Sequence, residues 1–158
     1  MPSPVQRTCC LPVGEGGLPP GAGLSFHHLG LAVASHERAS TFLRALGYEL
    51  GPVVFDPLQR VNLVMATHRD LPAVEVIAPA GDDGPLASLL RKDAELVYHV
   101  CFATADREAT LEALKRAGVR VLPVLGPTPA VLFGGRSVSF HRVAGFGLIE
   151  LVSSEVGP

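Results

Sequence analysis

At 158 residues the chain suits one domain, or two half-size modules sharing one core, and its 47% apolar and 18% charged residues exclude the disordered class. Thirteen Lys and Arg against 15 Asp and Glu give a net charge of −2 with no basic stripe, which argues against nucleic acid and anionic membrane as partners. No apolar run approaches the ~18 residues of a spanning helix, and the start MPSPVQRTCCLPVGEGG lacks an apolar signal core, so a cytoplasmic protein is expected.

Residues 1–23, which contain GEGGLPPGAG, read as a flexible Pro/Gly-rich leader, and residues 24–158 as a single domain. Cys9 and Cys10 fall in the leader and Cys101 in a strand, so reduced thiols are expected rather than a disulfide framework or a zinc site. A first module, about 26–79, opens with a strand at 26–34. Ser35 suits an N-cap, Ala39, Phe42, Leu43 and Leu46 recur at helical spacing, and Gly47 suits the helix end. Strands follow at about 49–55, 61–66 and 73–78, giving the order βαβββ. After AGDDGP, a connecting helix is expected at about 84–92.

The second module, about 97–153, repeats the order: strand 97–103, an Asp106 N-cap, a helix through Leu111, Leu114 and Ala117 stopped by Gly118, then strands at about 119–125, 137–141 and 147–153. GPTPAVLFGG, ahead of the last two strands, reads as an irregular loop. Adding 71 to the numbering superposes His28 on His99, Ala32 on Ala103, Leu43 on Leu114, Gly47 on Gly118 and Pro52 on Pro123 without a gap. Two such βαβββ units cannot bury both sheet faces alone, so they are expected to combine, helices on the convex faces and a cup on the concave ones. The fold class is α+β, two βαβββ modules forming a paired, cup-shaped mixed β-sheet.

Strand alternation says what lines the cup. Leu29, Leu31 and Val33 suit the helix side, leaving His28, Gly30 and Ala32 opposite; in the second copy Val100 and Phe102 suit the helix side, leaving His99, Cys101 and Ala103. Each histidine shares its face with small residues, which leaves room beside it. Glu75 in AVEVIAP and Glu150 in GLIELVS sit between apolar neighbours on the last strand of each module, where a carboxylate is costly unless paired or metal-bound. His28, Glu75, His99 and Glu150 are therefore the expected metal ligands. His27 is read on the helix side, His36 at a helix start and His68 in a solvated turn; His141, near the cup rim, is a candidate substrate contact. Imidazole and carboxylate ligands suit a divalent ion such as cobalt, nickel, manganese, zinc or iron, with a position open to polarise a substrate carbonyl. The reaction this favours is proton abstraction next to that carbonyl through a metal-stabilised enolate, with Glu150, or else Glu75, as the base.

HLGLAV, VEVIAP, HVCFAT and LIELV resemble the ligand-bearing segments of the vicinal-oxygen-chelate superfamily, which includes glyoxalases, bleomycin-resistance proteins, dioxygenases and methylmalonyl-CoA epimerases. PAGDDGPLASLLRK resembles the inter-module linker of the epimerase branch. The resemblance covers about 26–153. It implies an epimerase-like isomerase, a small-molecule substrate such as an acyl-CoA or other acyl thioester, and a homodimer. It also implies substrate contacts at Asn62, Ser137, His141, Gly134 and Gly135. Two departures stand out. Asn62 is aligned where the branch can carry a glutamate opposite the metal, and an amide cannot act as that base. HRVAGFG replaces the branch's His-Pro-Lys loop, keeping His141. The altered rim supports an alternative, a lyase, cyclase or isomerase of specialised metabolism. The alternative from a different class is a drug-binding resistance protein, and the ligand quartet counts against it.

Overall fold

The computed structural model of the chain describes residues 24–154, so the expected leader, with Cys9 and Cys10, lies outside the described residues. The elements run β1 (Ser25–Val33), α1 (His36–Ala45), β2 (Glu49–Leu50), β3 (Val54–Asp56), β4 (Val61–Thr67), β5 (Val74–Pro79), α2 (Pro85–Leu90), β6 (Glu95–Thr104), α3 (Arg107–Arg116), β7 (Val121–Pro129), a 3-10 turn (Val131–Phe133), β8 (Ser137–Val143) and β9 (Gly147–Ser153). The strands form one mixed sheet in the order β2-β4-β5-β1-β6-β9-β8-β7, with β3 also paired to β4. The two modules meet at the antiparallel β1–β6 pair, and β5 and β9 run parallel to those two strands on either side.

Three local expectations are corrected. The strand at 49–55 divides into β2 and β3, because Pro52 has no N–H to offer β4 and the pairing slips by one residue between Leu50↔Ala66 and Val54↔Leu63. The segment 126–135 is more regular than a loop: β7 continues to Pro129 and a 3-10 turn follows. Its prolines are tolerated because β7 is an edge strand, bonded only to β8 and with two register breaks. Ser35 occupies the N-cap position of α1 but its side chain makes no capping bond, whereas Asp106 caps α3 by accepting from Ala109 N–H at 2.9 Å.

Leu43 of α1, with Tyr48, buries the outer face of the first module against Val33, Val64, Ala66, Val74, Val76 and Ala78. The concave side is partly filled from within. Leu86 of α2, with Leu89 and Leu90 beside it, packs on Ala32, Val61, Leu63 and Ile77, and Leu132 of the 3-10 turn joins them. In the second module Cys101, Ala103, Val138, Phe140 and Val152 are buried with Ala130, and Phe133 packs onto them. The outer face of the central pair is less covered: Phe26 is 47% and Val97 64% exposed. Among the described residues no helix is long and apolar enough to cross a membrane.

Candidate metal centre

Four neighbouring strands each deliver one side chain to a common point. Across β1 and β6, His28 stands opposite Cys101 and Gly30 opposite His99; on the parallel flanks, Glu75 stands beside Gly30 and Glu150 beside Cys101. Because 30 plus 71 is 101, the two carboxylates occupy equivalent registers in the two modules. That is the geometric form of the sequence repeat.

The imidazole Nε2 atoms of His28 and His99 lie 3.2 Å apart. Glu150 Oε2 is 3.3 Å from each, and Glu75 Oε2 is 3.5 Å from His28 and 3.6 Å from His99. All four ligand atoms fall within 4.8 Å of one another, and all four residues are buried. The set has the chemistry of a divalent-cation site. Two carboxylates are buried together with imidazoles for partners, and Glu150 Oε2 has no hydrogen bond of good geometry despite its 3.3 Å neighbours. A cation would satisfy what these groups leave open, so the residues fit a metal.

Electrostatics within the cluster is strong. Burial opposes a charge on His28, but its contacts with Glu150 and Glu75 outweigh that and raise its pKa to about 9. Burial likewise opposes ionisation of Glu150, and His28 and His99 overcome it, holding the carboxyl well below the usual range. The Cys101 thiol is pushed far up by burial and by the Glu150 charge, so it stays a neutral wall. His99 is placed by shape: a Cβ at Gly30 would overlap its ring at Cε1, Nδ1 and Nε2.

Glu75, His99 and Glu150 open onto a cavity of about 390 Å³, walled by Val61, Leu63, Ile77, Tyr98, Phe133 and Phe140, while His28 lies behind them. Asp56, Arg60 and Asp83 also line it, with Arg60 paired to Asp83 through two 3.0 Å bonds.

The expected substrate contacts fare differently. Asn62 does not line the cavity; its neighbours Val61 and Leu63 do, and it alternates onto the outer face shared with Val64 and Ala66, while its backbone carbonyl lies 3.1 Å from His36 Nε2. Ser137 and His141 are also away from the cavity. Ser137 Oγ accepts from Arg107, and His141 is buried with Nε2 2.9 Å from Ser139 Oγ, while Phe140 between them takes the cavity wall. Burial and the Arg107 charge lower the His141 pKa. Gly134 and Gly135 adopt φ of 64° and 84° beyond the 3-10 turn, where glycine is favoured, and shape the turn rather than the cavity wall.

His27, expected on the helix side, and Arg136 and Tyr98, which no motif marked, also stand at or beside the site. A β-bulge between Phe26 and His28 turns His27 away from the helix-side parity expected of it, setting its Nδ1 2.8 Å from His28 Nδ1. Burial, His28 and Arg136 lower the His27 pKa. A second bulge, between Gly30↔His99 and Leu31↔Val97, leaves Tyr98 unpaired and on the cavity wall. Because 27 plus 71 is 98, the two bulged residues are repeat equivalents. The identities offered no signal, since an unpaired residue reverses parity without changing composition.

Two modules sharing a buried His–Glu–His–Glu cluster at their joint define a protein whose donor set could hold a metal ion at the wall of a cavity. The chain belongs to the glyoxalase/bleomycin resistance protein/dioxygenase superfamily, whose family model matches residues 27–140. It is 34% identical over 129 residues to an ethylmalonyl-CoA/methylmalonyl-CoA epimerase of Cereibacter sphaeroides, covering 79% of this chain and 94% of that protein. The crystal structure of a Mycobacterium tuberculosis methylmalonyl-CoA epimerase matches with a TM-score of 0.67 over 87% of this chain and 93% of that one; at 20% identity this shows the fold alone. A Streptomyces coelicolor methylmalonyl-CoA epimerase variant in complex with 2-nitronate-propionyl-CoA matches at 27% identity and a TM-score of 0.61, over 82% of this chain and 96% of that one.

Proposed function

We propose that the chain is a metal-dependent isomerase of the methylmalonyl-CoA epimerase type, moving the proton next to the carbonyl of an acyl thioester. The observation that carries this is a joint one. A buried two-histidine, two-glutamate cluster lies at the wall of an apolar cavity, in a chain 34% identical to an ethylmalonyl-CoA/methylmalonyl-CoA epimerase. His28, Glu75, His99 and Glu150 would hold a divalent ion such as cobalt, nickel, manganese, zinc or iron. When bound, that ion supplies positive charge to stabilise the oxygen of a carbonyl beside which a proton is lost.

Glu150 is the proposed base: it is ionised at neutral pH, lines the cavity, and its Oε2 has no hydrogen-bond partner. Glu75, on the other flank and slightly farther from both imidazoles, is the second proton-accepting carboxylate. Inversion also needs a proton delivered from the opposite side. The cavity residues of β4 are Val61 and Leu63, which carry no such proton. Tyr98, half-buried on the cavity wall with its ring centroid 5.6 Å from that of His99, and kept protonated because burial raises its pKa, is the proposed proton donor. The partly exposed outer face with Phe26 and Val97 suits a second copy of the chain, in keeping with a homodimer.

The test is to incubate metal-loaded protein with one epimer of methylmalonyl-CoA in deuterated water. Deuterium entering at the carbon next to the carbonyl, with inversion, is the expected result. Full metal occupancy with no exchange would overturn the reading. The absence of a proton-bearing group on the β4 wall favours a second reading, a related isomerase or lyase acting on another carbonyl substrate; exchange with retained configuration would support it.

A further inference from the structure

The two histidines of the quartet are held by different means. His99 turns Nε2 to the cluster, its Nδ1 is buried without a hydrogen-bond partner, and its ring rests against Gly30. His28 also turns Nε2 to the cluster, but its Nδ1 meets His27 Nδ1 at 2.8 Å. That contact exists because the β1 bulge puts two consecutive imidazoles on the same side of the strand, their centroids 5.1 Å apart and planes at 73°. His27 is itself braced. Its ring sits edge-on to Phe133 at 5.1 Å, and Arg136 Nη1 approaches its Nε2 at 3.3 Å. Arg136 is in turn anchored by donating from Nε to the Ser153 carbonyl at 2.6 Å.

We propose that His27 is a positioning residue for His28, accepting a hydrogen bond from its Nδ1–H and so presenting its Nε2 lone pair to a divalent metal. This rests on the reading that the quartet holds such an ion. A ligating imidazole must carry its proton on the nitrogen turned away from the metal, and a partner there fixes both tautomer and ring orientation. His27 fills that role for His28, and the equivalent bulged residue, Tyr98, turns to the cavity instead of serving His99. One ligand is therefore hydrogen-bonded into place and the other wedged. A consequence concerns Arg136. With His27 Nδ1 accepting, the His27 proton sits on Nε2 and faces a guanidinium that can only donate. The 3.3 Å approach of Arg136 is then a contact between two N–H groups, and Arg136 keeps its place through the Ser153 bond.

The test compares cobalt(II) affinity in the full chain for the wild type, His27→Phe and His27→Asn. Phenylalanine keeps an aromatic ring against Phe133 and removes both nitrogens; asparagine places an amide oxygen where the Nδ1 acceptor stood. His27→Phe is expected to lose affinity by about 10- to 100-fold, the usual range for an outer partner of a metal ligand. His27→Asn is expected to recover most of it. A His27→Phe protein that binds cobalt within about threefold of the wild type overturns the proposal. Wild-type protein that takes up no cobalt overturns the metal reading and this inference together. Should His27→Phe fail to fold, nitrogen-15 spectra of the zinc-loaded wild type decide the matter. A slowly exchanging His28 Nδ1–H bonded to His27 supports the proposal, and a freely exchanging one overturns it.

Discussion

Replacing Gly30 by alanine should displace His99 while leaving the β1 backbone able to accept the new residue. Gly30 has no positive φ, so alanine is conformationally acceptable there, and the penalty comes wholly from the ring that rests on it. A Cβ would overlap three atoms of the His99 imidazole. The ring must leave its position, or β1 and β6 must part at their Gly30↔His99 pair. Overpacking of this kind costs about 1–3 kcal/mol, or roughly 2–12 °C in melting temperature for a chain of this size. The functional loss should be larger. Moving Nε2 by about 1 Å removes a ligand from the quartet and costs on the order of 100-fold in turnover. The assay is metal per chain, cobalt affinity, melting temperature and methylmalonyl-CoA exchange on one preparation. Gly51→Ala serves as the control, since a Cβ there would meet only Met65 O at 3.4 Å. A Gly30→Ala protein with full metal occupancy and wild-type exchange would refute the reasoning.

His99→Ala should abolish bound metal and activity together; stoichiometric metal in that variant, by elemental analysis, would contradict the ligand assignment. Asn62→Ala should leave metal affinity and turnover within about twofold, because the side chain stands on the outer face of β4; a large fall in turnover would restore it to the substrate wall. Because His28 in the metal-free protein has a pKa of about 9, cobalt binding at pH 7 should release a proton and tighten about tenfold per pH unit up to that value. Calorimetry in buffers of different ionisation enthalpy measures the release. In the same metal-free protein the His28 pKa lies above its unfolded value of 6.5, so its contribution is full below 6.5 and lost as pH rises through about 9. Glu150 has the opposite sign, contributing above 4.5 and losing that as pH falls toward about 2. The melting temperature should thus be highest between those windows, and a flat profile from pH 6.5 to 9 would count against the ion pairing. Asp106→Ala should cost about 1 kcal/mol and Ser35→Ala much less, because only Asp106 bonds its helix N-terminus; equal losses in denaturant titrations would refute that distinction.

What the residues alone settled about this protein was what repeats and alternates. The 71-residue offset between His28 and His99 was legible as a two-module fold, and apolar neighbours marked Glu75 and Glu150 as out of place without a partner. Those signals are local or periodic, and a parity reading holds for as long as pairing is unbroken. It fails at His27 and Tyr98, where one unpaired residue reverses which face a side chain takes, and only the partner strand decides where that happens. It was equally silent on Asn62, because β4 carries apolar residues on both faces, Val61 and Leu63 on one and Val64 and Ala66 on the other. The same holds for α2 and the 3-10 turn, which read from the chain as a connecting helix and an irregular loop with no burial assigned to either. That Leu86 and Phe133 find burial inside the cup, narrowing the space in front of the quartet, depends on contacts far apart in sequence.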